Sequence, residues 1–270
     1  MTLAVAECFD EDGVHIVDPR SVPVRFSNLK RMAQSPLHYW QSVQSGFEET
    51  LALRLGAGTH ALLFKQSLIV FDGKVRNGKV WDKFAADHAD KVILNRKEYA
   101  QAESVATAIH RHKRASELLF AKDAVIEERI HWKFMGRDCA GTPDVRTPSY
   151  VVDLKTTICS EPVKFNRDGR WRSYHAQLAW YLDAVLQAGL GAPAEAYIVA
   201  VESNPPHPVT VMRLTERALD AGRKLVRPWF ERLIGCEQEN YWPAYVADVV
   251  EFDVDDTEFS LRIEGEDVDF

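Results

Sequence analysis

The segment YVVDLKTT (150–157) narrows what this chain can become more than any other. Its aromatic and β-branched residues read as a strand, with an acid and an ammonium set into an apolar run. Side chains alternate along a strand, so Asp153 and Lys155 share one face and Leu154 takes the other. A charged pair inside an apolar strand is costly unless it serves a purpose. GTPD (141–144) places Asp144 nine residues before Asp153 and supplies a second carboxylate. Two acids and a lysine so placed suit a divalent-metal site. Hard Mg²⁺ prefers carboxylate and carbonyl oxygen, and the Leu154 carbonyl offers a neutral ligand. Taken alone, Asp144 after Pro143 reads as a turn residue, and His60 among Leu and Ala as a core histidine.

The rest of the chain supplies a setting for that strand. Residues 27–44 read as helix from an N-cap at Ser27, broken at Pro36, with a second start after Ser35. Residues 50–66 read as helix around an interruption at Gly56 and Gly58, 72–80 as turns, and 95–120 as one long helix. AVIEERIHWKF (124–134), CAGTPDV (139–145) and YVVDLKT (150–156) read as three successive antiparallel strands. A helix over 172–188 ends before Gly189. Residues 194–203 and 207–214 read as strands around Asn204-Pro205-Pro206, and Thr215 caps a last helix over 216–234 that Pro228 kinks. The order predicts an α/β fold: a central mixed sheet flanked by helices, with a helical N-terminal part over 25–120 and a core over 121–235. Residues 1–247 read as one domain and 248–270 as an acidic tail.

Charge bears on the partner. The chain carries −7 in all, but residues 248–270 alone hold ten acidic side chains and one arginine, which leaves the first 247 residues at +2. Local positive potential, not global sign, governs nucleic-acid binding, so DNA stays open as a partner. The four cysteines are scattered and form no CxxC, which argues against zinc or iron–sulfur ligation and suits a reducing cytoplasm. No run reaches the ~20 apolar residues of a membrane helix, and the N-terminus lacks the basic start of a secretory signal. The tail is expected to be a disordered, solubilising segment, with part of VVEFDVDDTEF an edge strand.

GTPD, then DLK nine residues on, then HAQLAWY (175–181) on the next helix resembles the PD-(D/E)XK nuclease superfamily. More narrowly, the set resembles the RecE / exonuclease VIII-type clade, a relative of the RecB nuclease domain and lambda exonuclease. LGAGTHALL (55–63) is similar to that clade's helix with a metal-binding histidine, EERIHW (127–132) to its strand with an upstream glutamate, and SNLKRMAQSPLHYW (27–40) to its N-terminal segment. The resemblance covers roughly residues 25–245. One position departs from the common pattern, because Asp153 stands where much of the superfamily has glutamate.

The resemblance implies a restriction-endonuclease-like core and a Mg²⁺-dependent deoxyribonuclease, with Mn²⁺ able to substitute. It implies a 5′→3′ exonuclease on linear duplex ends, used in phage or prophage recombination with a single-strand annealing partner, and relatives that form rings. An endonuclease or repair nuclease of the same superfamily is the alternative, and a catalytically inert DNA-binding protein the competitor from another class. His60, Asp144, Asp153 and the Leu154 carbonyl would hold metal, and Lys155 would stabilise developing charge or assist the water. The upstream carboxylate is Glu127 or Glu128. Alternation groups Ile126, Glu128, Ile130 and Trp132 on one face and Glu127, Arg129 and His131 on the other. Spacing to the tryptophan favours Glu127. Gln177 and Tyr181, at i and i+4, share a helix face and would orient water and contact phosphate. The loop 160–175 interleaves Lys164, Arg167, Arg170 and Arg172 with Phe165, Trp171 and Tyr174, the ingredients of single-strand DNA contact. Lys30, Arg31, Lys113 and Arg114 read as ordinary solvated faces.

Overall fold

A computed structural model describes residues 7–9, 15–45, 49–73, 75–252, 260–263 and 266–269. Its centre is a five-stranded mixed sheet, in spatial order Val209–Arg213, Glu195–Glu202, Tyr150–Thr157, Val145–Arg146 and Val125–Ile126. Tyr150–Thr157 and Glu195–Glu202 run parallel, with Ile198 beside Asp153 and Ala200 beside Lys155. The other neighbours are antiparallel. Parallel neighbours need a crossover, made here by the helices Pro162–Trp171 and Tyr174–Gln187.

Alternation along the central strand sorts two cores. Val151 packs with Leu178 and Val185 of the Tyr174–Gln187 helix, and with Phe230 and Leu233 of the last helix, Glu216–Glu239. Val152 and Leu154 pack on the opposite side with Leu63 of helix Leu51–Phe64 and with Val105 and Ile109 of helix Arg96–Arg111. The sheet is therefore covered by helices on both faces, and Asp153 and Lys155 fall on the side of the Gln177 helix.

Several elements differ from expectation for identifiable reasons. The first helix begins at Phe26 with Arg25 at its cap, not Ser27, and Ser35 caps the second, Pro36–Gln44, as read. Helix Leu51–Phe64 is continuous through Gly56 and Gly58. A Cβ at Gly56 would lie 3.3 Å from Thr156 Oγ1, so the glycine lets this helix lie close to the central strand. The 72–80 region is not turns alone: helix Gly78–Asp87 sets Trp81 and Phe84 on Phe71. Residues 95–120 form two helices, Arg96–Arg111 and Lys113–Leu119, separated at His112.

The three-strand meander is split: Ile130–Phe134 and Arg137–Gly141 pair as a separate hairpin, and of the first two expected strands only Val125–Ile126 and Val145–Arg146 join Tyr150–Thr157 in the main sheet. The loop 160–175 is largely the helix Pro162–Trp171. The Glu161 carboxylate accepts from the Val163 and Lys164 amides, and proline sits in the first turn. The last helix continues past Ile234 to Glu239. The tail is not wholly irregular, since Ser260–Ile263 pairs with Glu266–Asp269. Residues 248–252 form no strand, and the remainder of the expected edge strand, 253–259, lies outside the described residues. Among the described residues no helix is long and apolar enough to cross a membrane.

Candidate metal centre

The centre forms where the first strand of the sheet is interrupted. Val125–Ile126 pairs with Val145–Arg146, and just beyond the pair the Glu127 amide donates to the Asp144 carbonyl at 3.0 Å. Glu127 has φ +47°, a left-handed backbone that non-glycine residues adopt at a cost of about 1–3 kcal/mol and that clusters at functional sites. This twist brings the Glu127 side chain beside that of Asp144. It turns Glu128 away, to a surface ion pair with Arg146 (Nε–Oε2 2.8 Å). Of the two candidate carboxylates, Glu127 and not Glu128 therefore lies beside Asp144.

His60 completes the group from helix Leu51–Phe64. Its Nδ1 lies 3.0 Å from Glu127 Oε1 and 3.8 Å from Asp144 Oδ1. One ligand atom from each of His60, Glu127 and Asp144 falls within 4.8 Å of the others. Asp144 is held from behind by the Leu154 amide, which donates to Oδ2 at 2.6 Å.

The electrostatics fit a cation. Burial pulls the His60 pKa down, but Asp144 and Glu127 outweigh it and push it up to about 9. Burial, reinforced by Asp153, lifts Asp144 to about 6 despite His60 and Lys155. The imidazolium is the countercharge of two crowded carboxylates, and a divalent ion ligated by neutral imidazole and carboxylate oxygens would replace it.

Beside this group runs a second chain of contacts. Lys155 Nζ lies 2.6 Å from Asp153 Oδ2, donates to Gln177 Oε1 at 3.2 Å and sits 4.7 Å over the Tyr174 ring. Gln177 Nε2 donates to the Tyr181 hydroxyl at 3.1 Å. Burial opposes the ammonium, but Asp153 and Asp144 prevail and raise its pKa, so Lys155 keeps its proton. The Tyr181 phenol, raised first by burial and then by Asp153, also stays protonated. Asp153 is 3 % exposed and turned to Lys155; among the described residues it stands outside the three-residue group.

Both clusters open into one cleft of about 1150 Å³. Arg25, Lys30, Arg129 and Arg172 line it with Lys155. Burial, then Arg129, lowers the Arg25 pKa; burial, then Arg31, Lys155 and Arg172, lowers that of Lys30. These cations crowd one another, and among the described residues none of Arg25, Lys30, Arg129 and Arg172 has a carboxylate partner. Lys30 is thus a half-buried cleft residue rather than part of a solvated face. Arg25 and Arg129 escaped the sequence reading, although both flank or lie in segments that carry the resemblance. Of the expected DNA contacts, Arg172 lines the cleft together with the aromatic rings of Phe165 and Tyr174; Arg167, Arg170 and Trp171 border a separate surface depression, and Lys164 is exposed.

Residues 25–252 match a family described as a PDDEXK-like domain of unknown function (DUF3799). Among solved structures, a "putative exonuclease" from Eubacterium rectale matches with a TM-score of 0.62 at 14 % identity, over 86 % of this chain and 91 % of that one. That likeness establishes the fold. An alkaline exonuclease from Laribacter hongkongensis matches at a TM-score of 0.33 and 11 % identity over 70 % and 94 % of the two chains, too slight a likeness to build on. No curated protein matches the chain.

Proposed function

The chain belongs to the DUF3799 family of PDDEXK-like domains, and from that premise we propose that it is a metal-dependent deoxyribonuclease. The observation that carries the proposal is the His60–Glu127–Asp144 group, within 4.8 Å, set beside a half-buried, protonated Lys155 in a cation-lined cleft. His60, Glu127 and Asp144 would hold the ion, with Asp153 and the Leu154 carbonyl as further oxygen donors. Mg²⁺ is the natural occupant for carboxylate oxygen and Mn²⁺ a substitute. When bound, the ion supplies Lewis-acid polarisation of a phosphoryl oxygen and a lowered pKa for water.

The chain's own residues do the rest. Arg25, Lys30, Arg129 and Arg172 attract and seat the phosphate backbone in the cleft. Lys155, fixed by Asp153 and Gln177, presents a permanent positive charge where negative charge grows on the phosphate. Its raised pKa suits charge stabilisation and not proton abstraction. Gln177 couples Lys155 to Tyr181 and holds both on one side of the cleft.

The finer reading is a 5′→3′ exonuclease on linear duplex ends, acting in phage-type recombination with an annealing protein. The name of the Eubacterium rectale neighbour supports the exonuclease part of that reading, and the polarity and recombination role rest on the resemblance alone. An endonuclease of the same superfamily would use the same centre. Linear duplex labelled at either end, incubated beside a covalently closed circle with Mg²⁺, separates them. The exonuclease reading expects early loss of the 5′ label and an intact circle; a cut circle would overturn it.

A further inference from the structure

Helix Pro162–Trp171 has two faces, and the cleft uses one. Phe165, Asp168 and, just past the helix, Arg172 recur at i, i+3 and i+7 and line the cleft. Val163, Arg167, Arg170 and Trp171 recur at i, i+4, i+7 and i+8 and share the other face. Arg167, Arg170 and Trp171 line a depression there of about 310 Å³. Trp171 is 86 % exposed and Val163 76 %, whereas the six other tryptophans of the chain are buried or half-buried. A large apolar side chain left in water forgoes about 1.5–3 kcal/mol of burial. Both flanking guanidiniums are available. The nearest carboxylate to Arg167 is Asp168, 3.9 Å away with both side chains mostly exposed, and Arg170 has no ion-pair partner among the described residues.

We propose that this outer face binds the unpaired part of the substrate, one base stacking on Trp171 with adjacent phosphates on Arg167 and Arg170. The scissile strand occupies the inner face. An exposed indole sharing a depression with two arginines offers a stacking plane and two phosphate contacts, which is the chemistry of single-strand recognition. In a duplex the base faces are already stacked on one another and cannot take the indole. A helix with its side chains is ~10–12 Å across, so the two faces lie close enough to receive the two strands of one frayed end. The proposal rests on the nuclease reading in assigning this face to the strand that is not cut.

The test measures binding without hydrolysis. Fluorescence anisotropy of a labelled oligothymidylate and of a blunt hairpin duplex is recorded in EDTA for the wild type, Trp171→Ala and Arg167→Gln/Arg170→Gln. All three side chains are exposed, so the variants keep the fold. Trp171→Ala is expected to weaken oligothymidylate binding by roughly tenfold and hairpin binding by less than about twofold, given ~1–3 kcal/mol per stacked base. The double variant should reduce the slope of log affinity against log salt for the single strand by about 1.4, two contacts at ~0.7 each. Equal losses on both ligands, or no loss on the single strand, would overturn the proposal; the second outcome would leave the exposed face to a protein partner. Loss of Mg²⁺-dependent hydrolysis in the wild type would remove the nuclease reading without touching this binding result.

Discussion

Replacing Asp153 by alanine should cost the fold roughly 3 kcal/mol, apart from any effect on catalysis. The carboxylate is 4 % exposed at its side chain, and among the described residues its Oδ2 meets Lys155 Nζ at 2.6 Å and no other donor. Two unit charges at 2.6 Å attract by about 6 kcal/mol at an effective dielectric constant near 20, and desolvation of the two ions consumes much of that. Without Asp153 the ammonium keeps the Gln177 carbonyl at 3.2 Å, the Tyr174 ring at 4.7 Å and the longer-range attraction of Asp144, with its side chain 20 % exposed. Orphaning one member of a buried pair costs about 3–5 kcal/mol, and the surviving contacts and partial exposure set the value at the low end. For a chain of this size the melting temperature should fall by roughly 6–12 °C. The assay is urea denaturation of metal-free wild type, Asp153→Ala, Lys155→Met and the double variant. Methionine fills the lysine's space without its charge, so the double variant should recover about 2 kcal/mol relative to the sum of the singles. A single Asp153→Ala variant as stable as wild type, or a double variant with strictly summed losses, would mean that the two charges are not coupled as their geometry requires.

Metal uptake should strengthen with pH, because His60 must give up its proton to become a ligand and its pKa is raised to about 9. Calorimetric Mn²⁺ titrations above about pH 7 should show affinity rising toward pH 9 with nearly one proton released, and His60→Ala should flatten that rise. In the metal-free protein the sign is opposite. The raised His60 pKa adds stability fully present below its ordinary value of about 6.5 and lost as pH rises through about 9. Glu127→Ala should weaken Mn²⁺ binding by roughly tenfold or more, while Glu128→Ala, which loses only a partly exposed pair with Arg146, should leave it unchanged; the reverse order in calorimetry would contradict the geometry. Gly222→Ala should destabilise by about 1–3 kcal/mol in urea. Its new Cβ would lie 2.6 Å from the His175 carbonyl oxygen and 2.8 Å from Ala176 Cα, backbone of the helix that carries Gln177.

What sequence made legible followed the regular elements. The twofold period of the central strand placed Asp153 and Lys155 together, and the i, i+4 spacing of Gln177 and Tyr181 placed both beside them. What it obscured lay where regularity breaks. The left-handed Glu127 interrupts the alternation that would have sorted it from Glu128, so neither face assignment applied. The helix Pro162–Trp171 hid behind its charges and Gly169, although Glu161 as cap and Pro162 in the first turn were start signals. Arg25 and Lys30 reach the cleft from the two ends of the short first helix, whose orientation depends on packing of Phe26, Leu29 and Met32 into the core. Gly56 read as an interruption because its purpose, close approach to Thr156, is tertiary.

The most direct test of the hydrolytic centre is a time course of linear duplex digestion in Mg²⁺, with DNA binding measured in parallel, for wild type and Lys155→Met. The centre described here predicts hydrolysis by the wild type that EDTA abolishes, and no hydrolysis by Lys155→Met even though it still binds the duplex. Undiminished cleavage by Lys155→Met, or cleavage by the wild type in EDTA, would contradict it.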